Sequence, residues 1–279
     1  MNFCTPKLLF HLKLAGKCYG PVLPLMGDGV QKIVVHNDWI IMFWGFAHRR
    51  FVQKHRENRQ TFVPVMLTLT PAESSEVVVA VKKDIAKAAK IAYDIDIGDA
   101  LSTITITDPS PALRKGHYDF ARLQEIDTEG NESYHCTDYS HVFRKITGSK
   151  IIKTPQNREY IKDAIECCHR APTVNVAKMV AKVILTDLQN RGEQELVKYL
   201  IRKGTGFFNP DWFSWNIMSC RFRDDDGVTY LVATPPSSQA EESFFHSLKS
   251  RILLSRYCSR DHLIASTIPE LLIILSNIH

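Results

Sequence analysis

No Cys-x-x-Cys pair occurs in these 279 residues, although seven cysteines are present. The odd count and the chain length exclude a disulfide framework and a four-cysteine zinc site, and they point to a reducing compartment. No Gly-x-Gly-x-x-Gly fingerprint or phosphate-loop motif is found, so a nucleotide cofactor has no support. No apolar run is long and unbroken enough to span a bilayer. Leu263–Ile278 comes nearest, but Pro269, Glu270 and several hydroxyl residues interrupt it, and a buried helix is expected there. Lys7, Lys13 and Lys17 break up the first 20 residues, which read as an N-terminal extension rather than a signal peptide. Repeats and low-complexity tracts are absent. The composition is that of an ordinary globular protein, 44% apolar, 10% aromatic and 23% charged. The net charge of +5 is compatible with a polyanionic partner.

The first half alternates strand-like and helix-like segments. Val22–Gly29 and Gln31–Val35 read as strands on either side of an Asp28–Gly29 turn, and His36–Asn37–Asp38 suits a hairpin. Trp39–Phe46 is apolar on both faces, as a central strand is. A basic polar stretch follows, His48–Gln60, with five arginines and lysines. Thr61–Leu69 is the next strand, with Pro64 expected near its start or at an edge. Thr70–Pro71–Ala72–Glu73 has the form of a Thr-x-x-Glu capping box. The helix it opens carries a stripe of Val78, Val81, Ile85, Ala88, Ala89 and Ala92, with Lys82, Lys83, Lys87 and Lys90 outside it. Leu101–Thr107 reads as a strand ending at Asp108, and a helix is expected over 109–122.

This β-β-β-α-β-α order predicts a mixed α/β sheet with flanking helices, not the strict alternation of a doubly wound fold. A core at 21–150, a mainly helical insertion at 151–230 and a core completion at 231–279 are expected. In the insertion, Val176, Val180, Val183, Ile184 and Leu188 recur at helical spacing, as do Leu196, Tyr199 and Leu200. Trp212 and Trp215 are expected in its core, and Val228–Ala233 in a short strand.

Two acids at strand ends, Asp28 and Asp108, are the principal candidates for chemistry. Brought to one sheet edge they suit a hard divalent cation, which prefers oxygen ligands. An Asp after a strand is more often a turn residue or a helix cap. Glu241 and Glu242 open a later helix and complete an Asp…Asp…Glu order with gaps of 80 and 134 positions. Metal ions held by such carboxylates activate a water or a 3′-hydroxyl and stabilise the leaving oxygen.

Several strings together resemble the Mutator-like element (MULE) transposases, cut-and-paste DNA transposases with a ribonuclease-H-like core. Asp28–Gly29–Val30–Gln31–Lys32 resembles the family's first-acid segment, and Trp39–Gly45 the strand after it. Phe62–Val63–Pro64 and Thr70–Ser74 are similar to its next strand and helix start. Thr107–Arg114 resembles the second-acid segment, His141–Ile146 the helix beyond it, and Gln239–Lys249 the segment with the final Glu, a register that selects Glu242 over Glu241.

The resemblance implies Mg²⁺- or Mn²⁺-dependent DNA cleavage and strand transfer. Asp28, Asp108 and Glu242 are then the metal ligands, transposon ends and target DNA the partners, the protein a nuclear homo-oligomer, and no membrane is involved. Arg49, Arg50, Lys54, Arg56 and Arg59 are then candidates for DNA phosphate contacts. The family's Cys-x-x-His pair is altered: Asp138 stands three before His141 and Cys136 five before it, leaving a structural Cys136–His141 contact as the expectation. His135 and His169 are the other histidines that a zinc site could recruit. Cys168 reads as a small core residue. Intact members carry an upstream zinc-dependent DNA-binding region, for which this chain has no room. A catalytic-core fragment, or a truncated or inactive copy, is therefore expected. The alternative is a domesticated, non-catalytic DNA- or protein-binding regulator.

Overall fold

The computed structural model describes residues 1–19, 24–30, 39–52, 57–108, 110–126, 133–137, 143–144, 146–169, 171, 174–202, 208, 221–223, 229–231 and 259–276. The chain forms two compact units, Met1–His135 with Ser238–His279, and Cys136–Ser237.

The architecture is mixed α/β. Strands β1 (Asn2–Phe3), β2 (Leu25–Val30), β3 (Ile40–Val52), β4 (Glu57–Thr70), β5 (Ile104–Thr107) and β6 (Tyr134–Thr137) form one sheet in the order β1-β4-β3-β2-β5-β6. β3 runs antiparallel to β2 and β4, and β5 runs parallel to β2. The apolar run Ile41–Trp44 is completely buried, as its place between two strands requires. Helix α1 (Pro6–Tyr19) buries Leu8, Leu9 and Leu12. The first residues are more than an extension, because β1 pairs Asn2 with Thr68 at the sheet edge.

Helix α2 (Ser75–Tyr93) buries Val78, Val81, Ile85 and Ala89, whereas Ala92 is exposed. Two details of its reading are corrected. Its N-cap is Ser74, whose Oγ accepts from Val77 N at 3.4 Å. Thr70 is engaged instead with Ala72, donating to its carbonyl at 2.9 Å, so Glu73 lies before the helix rather than inside a capping box. Lys82 is also not on the solvated face. It is fully buried, for a reason that lies in the site below.

The strand before Asp108 is shorter than its β-branched residues suggest. Residues Gly98–Thr103 form helix α3, in which Ser102 Oγ donates to Gly98 O at 3.0 Å and Thr103 Oγ1 to Ala100 O at 2.8 Å. These hydroxyls satisfy helix carbonyls, which lets serine and threonine stay helical. Ser110 caps helix α4 (Pro111–Leu123), with Pro111 in its first turn.

In the second unit, α5 (Pro155–His169), α6 (Val174–Asn190) and α7 (Gln194–Leu200) pack around Ile161, Ile165, Cys168, Ile184, Leu188 and Leu196. Cys168 is a core residue, as its helical setting suggests. Val176 and Val183 are exposed instead, at 38% and 68%, so the buried stripe of α6 is narrower than the valine spacing implies. A hairpin of β7 (Arg221–Arg223) and β8 (Thr229–Leu231) belongs to this unit. Residues 31–38, which carry an expected strand and turn, and Trp212 and Trp215 lie outside the described residues.

In the C-terminal run, a π-helical segment Leu263–Thr267 leads into α8 (Ile268–Ser276), which buries Leu271 and Leu275 and exposes Ile273. No described helix is long and apolar enough to cross a membrane.

Pro64 sits inside β4, not at its start. The register shifts between Trp44 and Gly45, pairing Gly45 with Pro64, so the residue without an N–H falls at a bulge. A Cβ on Gly45 would collide with the Val63 carbonyl oxygen and the Pro64 Cα, both backbone atoms that cannot move aside. Gly45→Ala is therefore expected to destabilise the protein by about 2–3 kcal/mol through overpacking, read as a lower urea midpoint at unchanged m-value.

Candidate functional site at the ends of strands β2 and β5

Asp28 lies within β2, opposite Phe43 of β3, and not in a turn after it. Asp108 directly follows β5. The parallel pairing matches Leu25 with Thr105, Met26 with Ile106 and Gly27 with Thr107. Asp28 follows Gly27 and Asp108 follows Thr107, so each acid comes directly after one member of the last β2–β5 pair. Carboxyl ends of inner strands are where open α/β sheets gather ligands.

Local hydrogen bonds fix both acids. Asp28 Oδ1 accepts from Gly29 N at 2.6 Å. The Asp108 carbonyl accepts from Ser110 N at 2.6 Å and from Thr107 Oγ1 at 3.0 Å. Ser110 in turn caps α4, so Asp108 stands just before the positive end of a helix of 13 residues.

A third carboxylate was hidden in the sequence by its capping-box pattern. Glu73 is half-buried, and its Oε1 lies 3.3 Å from where a Cβ on Gly29 would stand, so the glycine leaves room for it beside β2. Burial first, and the Asp108 charge second, push the Glu73 carboxyl above its ordinary value. Its sequence signal was its place three residues after Thr70, where it read as part of a capping box.

Behind β5 lies a buried polar network. Lys82 Nζ donates to Leu101 O at 2.8 Å, meets His117 Nδ1 at 2.8 Å, and lies 5.2 Å from the centre of the Phe120 ring. Ser133 Oγ donates to Ser102 O at 2.7 Å, so it accepts from His117 Nε2 at 2.8 Å. His117 Nδ1 is then an acceptor, facing both Lys82 and Thr105 Oγ1, the latter at 2.9 Å. By the same logic Thr107, having donated to Asp108, accepts from His135 Nε2 at 2.8 Å.

No carboxylate is among these partners of Lys82. Burial holds its amine well below the ordinary lysine value. Burial, then the neighbouring Lys82 and His135 charges, holds His117 well below the usual imidazole range. His135 is pushed down to about 3 by burial, then by the charges of Lys82 and Arg114.

The remaining sequence candidates fall differently. Glu242, with Glu241, lies outside the described residues, as do His141, Lys54 and Arg56. Cys136 holds a backbone place in β6, and Arg49, Arg50 and Arg59 hold places in β3 and β4, not in a loop. His135 Nε2 is engaged with Thr107 Oγ1. Among the described residues, no group of three or more His, Cys, Asp or Glu side chains is arranged to hold a metal ion. Comparison with protein-family models and with curated proteins finds no match for the chain.

The network sets a pH dependence. A base kept neutral by the fold binds fewer protons than in the unfolded chain, so folding loses stability as pH falls below the unfolded value. For His135 this window runs from about 6.5 down to about 3. Within it the residue is expected to cost about 1.4 kcal/mol of stability per pH unit. Urea midpoints measured between pH 7 and pH 4 are expected to fall with acidification, and to fall less steeply in His135→Gln.

Proposed function

We propose that this chain is the catalytic core of a DDE-type DNA transposase of the Mutator-like kind, with a ribonuclease-H-like sheet. Asp28 and Asp108, with Glu242, are the residues that hold Mg²⁺ or Mn²⁺ in this reading. The observation that carries it is the parallel β2–β5 register, which pairs Gly27 with Thr107, the residues just before two acids 80 positions apart. The succession β2-β3-β4-α2-α3-β5-α4 supports the fold part of the reading, because it supplies three antiparallel strands and then a helical crossover to a parallel strand.

The donor set suits the proposed ion. Carboxylate oxygens are the ligands a hard cation takes, and the Glu73 carboxyl is raised by burial first and by the Asp108 charge second. A bound ion would lower the pKa of the attacking water or 3′-hydroxyl and stabilise the leaving oxygen. The chain's own part is to hold the carboxylates in place. Thr107 and Ser110 fix the Asp108 peptide, and Gly29 N fixes one Asp28 oxygen.

Purified protein is expected to nick duplex DNA in Mg²⁺ or Mn²⁺, and Asp108→Ala to reduce nicking to background while remaining folded. Equal nicking by the two proteins would assign the activity to a contaminant. A folded wild type that binds DNA without nicking it would favour the non-catalytic regulator.

A further inference from the structure

Helix α6 buries Ala177, Ala181, Ile184 and Leu188 in the core of the second unit. On the other side of the same helix, Val176, Met179 and Val183 are exposed at 38%, 69% and 68%. They recur at i, i+3 and i+7, the spacing of a coiled-coil seam, and so form one stripe. Single exposed apolar residues are ordinary, whereas a contiguous set on one face is the form an interaction surface takes.

Lysines run along one flank of this stripe. Lys178 and Lys182 stand one turn apart, and the positions three and four residues from each hold no acid. Like charges at i and i+4 cost a helix stability. Elsewhere in this unit the pattern is the opposite, with Lys162 paired to Glu159, Arg191 to Asp187 and Lys198 to Glu195. Among the described residues, neither Lys178 nor Lys182 has an acidic partner. Beside the two lysines lies a groove of about 530 Å³ with Ala181, Leu185 and Phe208 in its lining.

We infer that this face of α6 docks an acidic amphipathic helix of a partner protein, its apolar side on the stripe and its carboxylates on Lys178 and Lys182. Charge selects this occupant. A partner carboxylate relieves the repulsion between the two lysines, and charges that flank a seam set partner choice. A second copy of the helix brings the same two lysines, and its single acid, Asp187, is already bound to Arg191 at 2.7 Å. Nucleic-acid phosphates suit the lysines but leave Met179 and Val183 unmatched. The inference concerns the second unit alone and does not rest on the metal reading.

The test is binding of a fluorescent synthetic peptide by the full chain at low salt. The peptide has three heptads, with leucine at a and d and glutamate at e and g; a second peptide carries lysine at e and g instead. The glutamate peptide is expected to bind about tenfold more tightly than the lysine peptide. Lys178→Glu with Lys182→Glu is expected to reverse that preference. Met179→Gln with Val183→Gln is expected to weaken binding of the glutamate peptide about tenfold. All four positions are exposed, so the thermal midpoints are expected to stay near that of the wild type. If the paired glutamine variant fails to fold, Met179→Gln alone carries the comparison. No binding of the glutamate peptide, equal binding of the two peptides, or an unchanged preference in the charge-reversed variant would overturn the proposal. So would self-association, or binding to phosphatidylserine vesicles, that the glutamine variant abolishes while its peptide binding stays that of the wild type.

Discussion

The parallel pairing of β2 with β5 is the constraint on which the first unit depends. Parallel neighbours cannot be joined by a tight turn, so the chain must leave the sheet, cross it and return. The segment between β2 and β5 does this through β3, β4, α2 and α3. The register that results sets Gly27 beside Thr107, the residues that precede Asp28 and Asp108. A slip of one residue would turn every side chain of β5 to the other face of the sheet.

The buried network holds that register from behind. Lys82 comes from α2, His117 from α4, Thr105 from β5, and Ser133 from just before β6. Burial holds the Lys82 amine and the His117 imidazole well below their ordinary values, because the charged forms cost more to bury. The network therefore couples sheet, helices and protonation. Thr107 Oγ1 joins the network to the Asp108 peptide, accepting from His135 Nε2 and donating to the Asp108 carbonyl.

The sequence made the apolar parts of this structure legible. The stripe Val78, Val81, Ile85 and Ala89 and the doubly buried Ile41–Trp44 are periodic signals that tertiary contacts merely fill. Lys82 was not legible, because its partners Leu101 and His117 lie 19 and 35 positions away and a lysine beside an apolar stripe ordinarily faces water. Leu101–Thr103 misled for the converse reason, since β-branched residues suggest a strand while local hydroxyl bonds keep them helical. Both candidate acids were legible as residues near strands. The pairing of Gly27 with Thr107 just before them was not, because strand order is a non-local property. Glu73 was visible only as a capping pattern that Ser74 in fact supplies.

The central claim is that Asp28 and Asp108 belong to one cation site. Mn²⁺ binding to the full chain, followed by electron paramagnetic resonance, tests it most directly. Wild-type protein is expected to bind Mn²⁺, Asp28→Asn and Asp108→Asn are each expected to lose most of that affinity, and the double variant should be no weaker than the weaker single one, since residues of one site do not act additively. Wild-type Mn²⁺ affinity in both single variants, or losses that simply multiply in the double variant, would contradict a shared site.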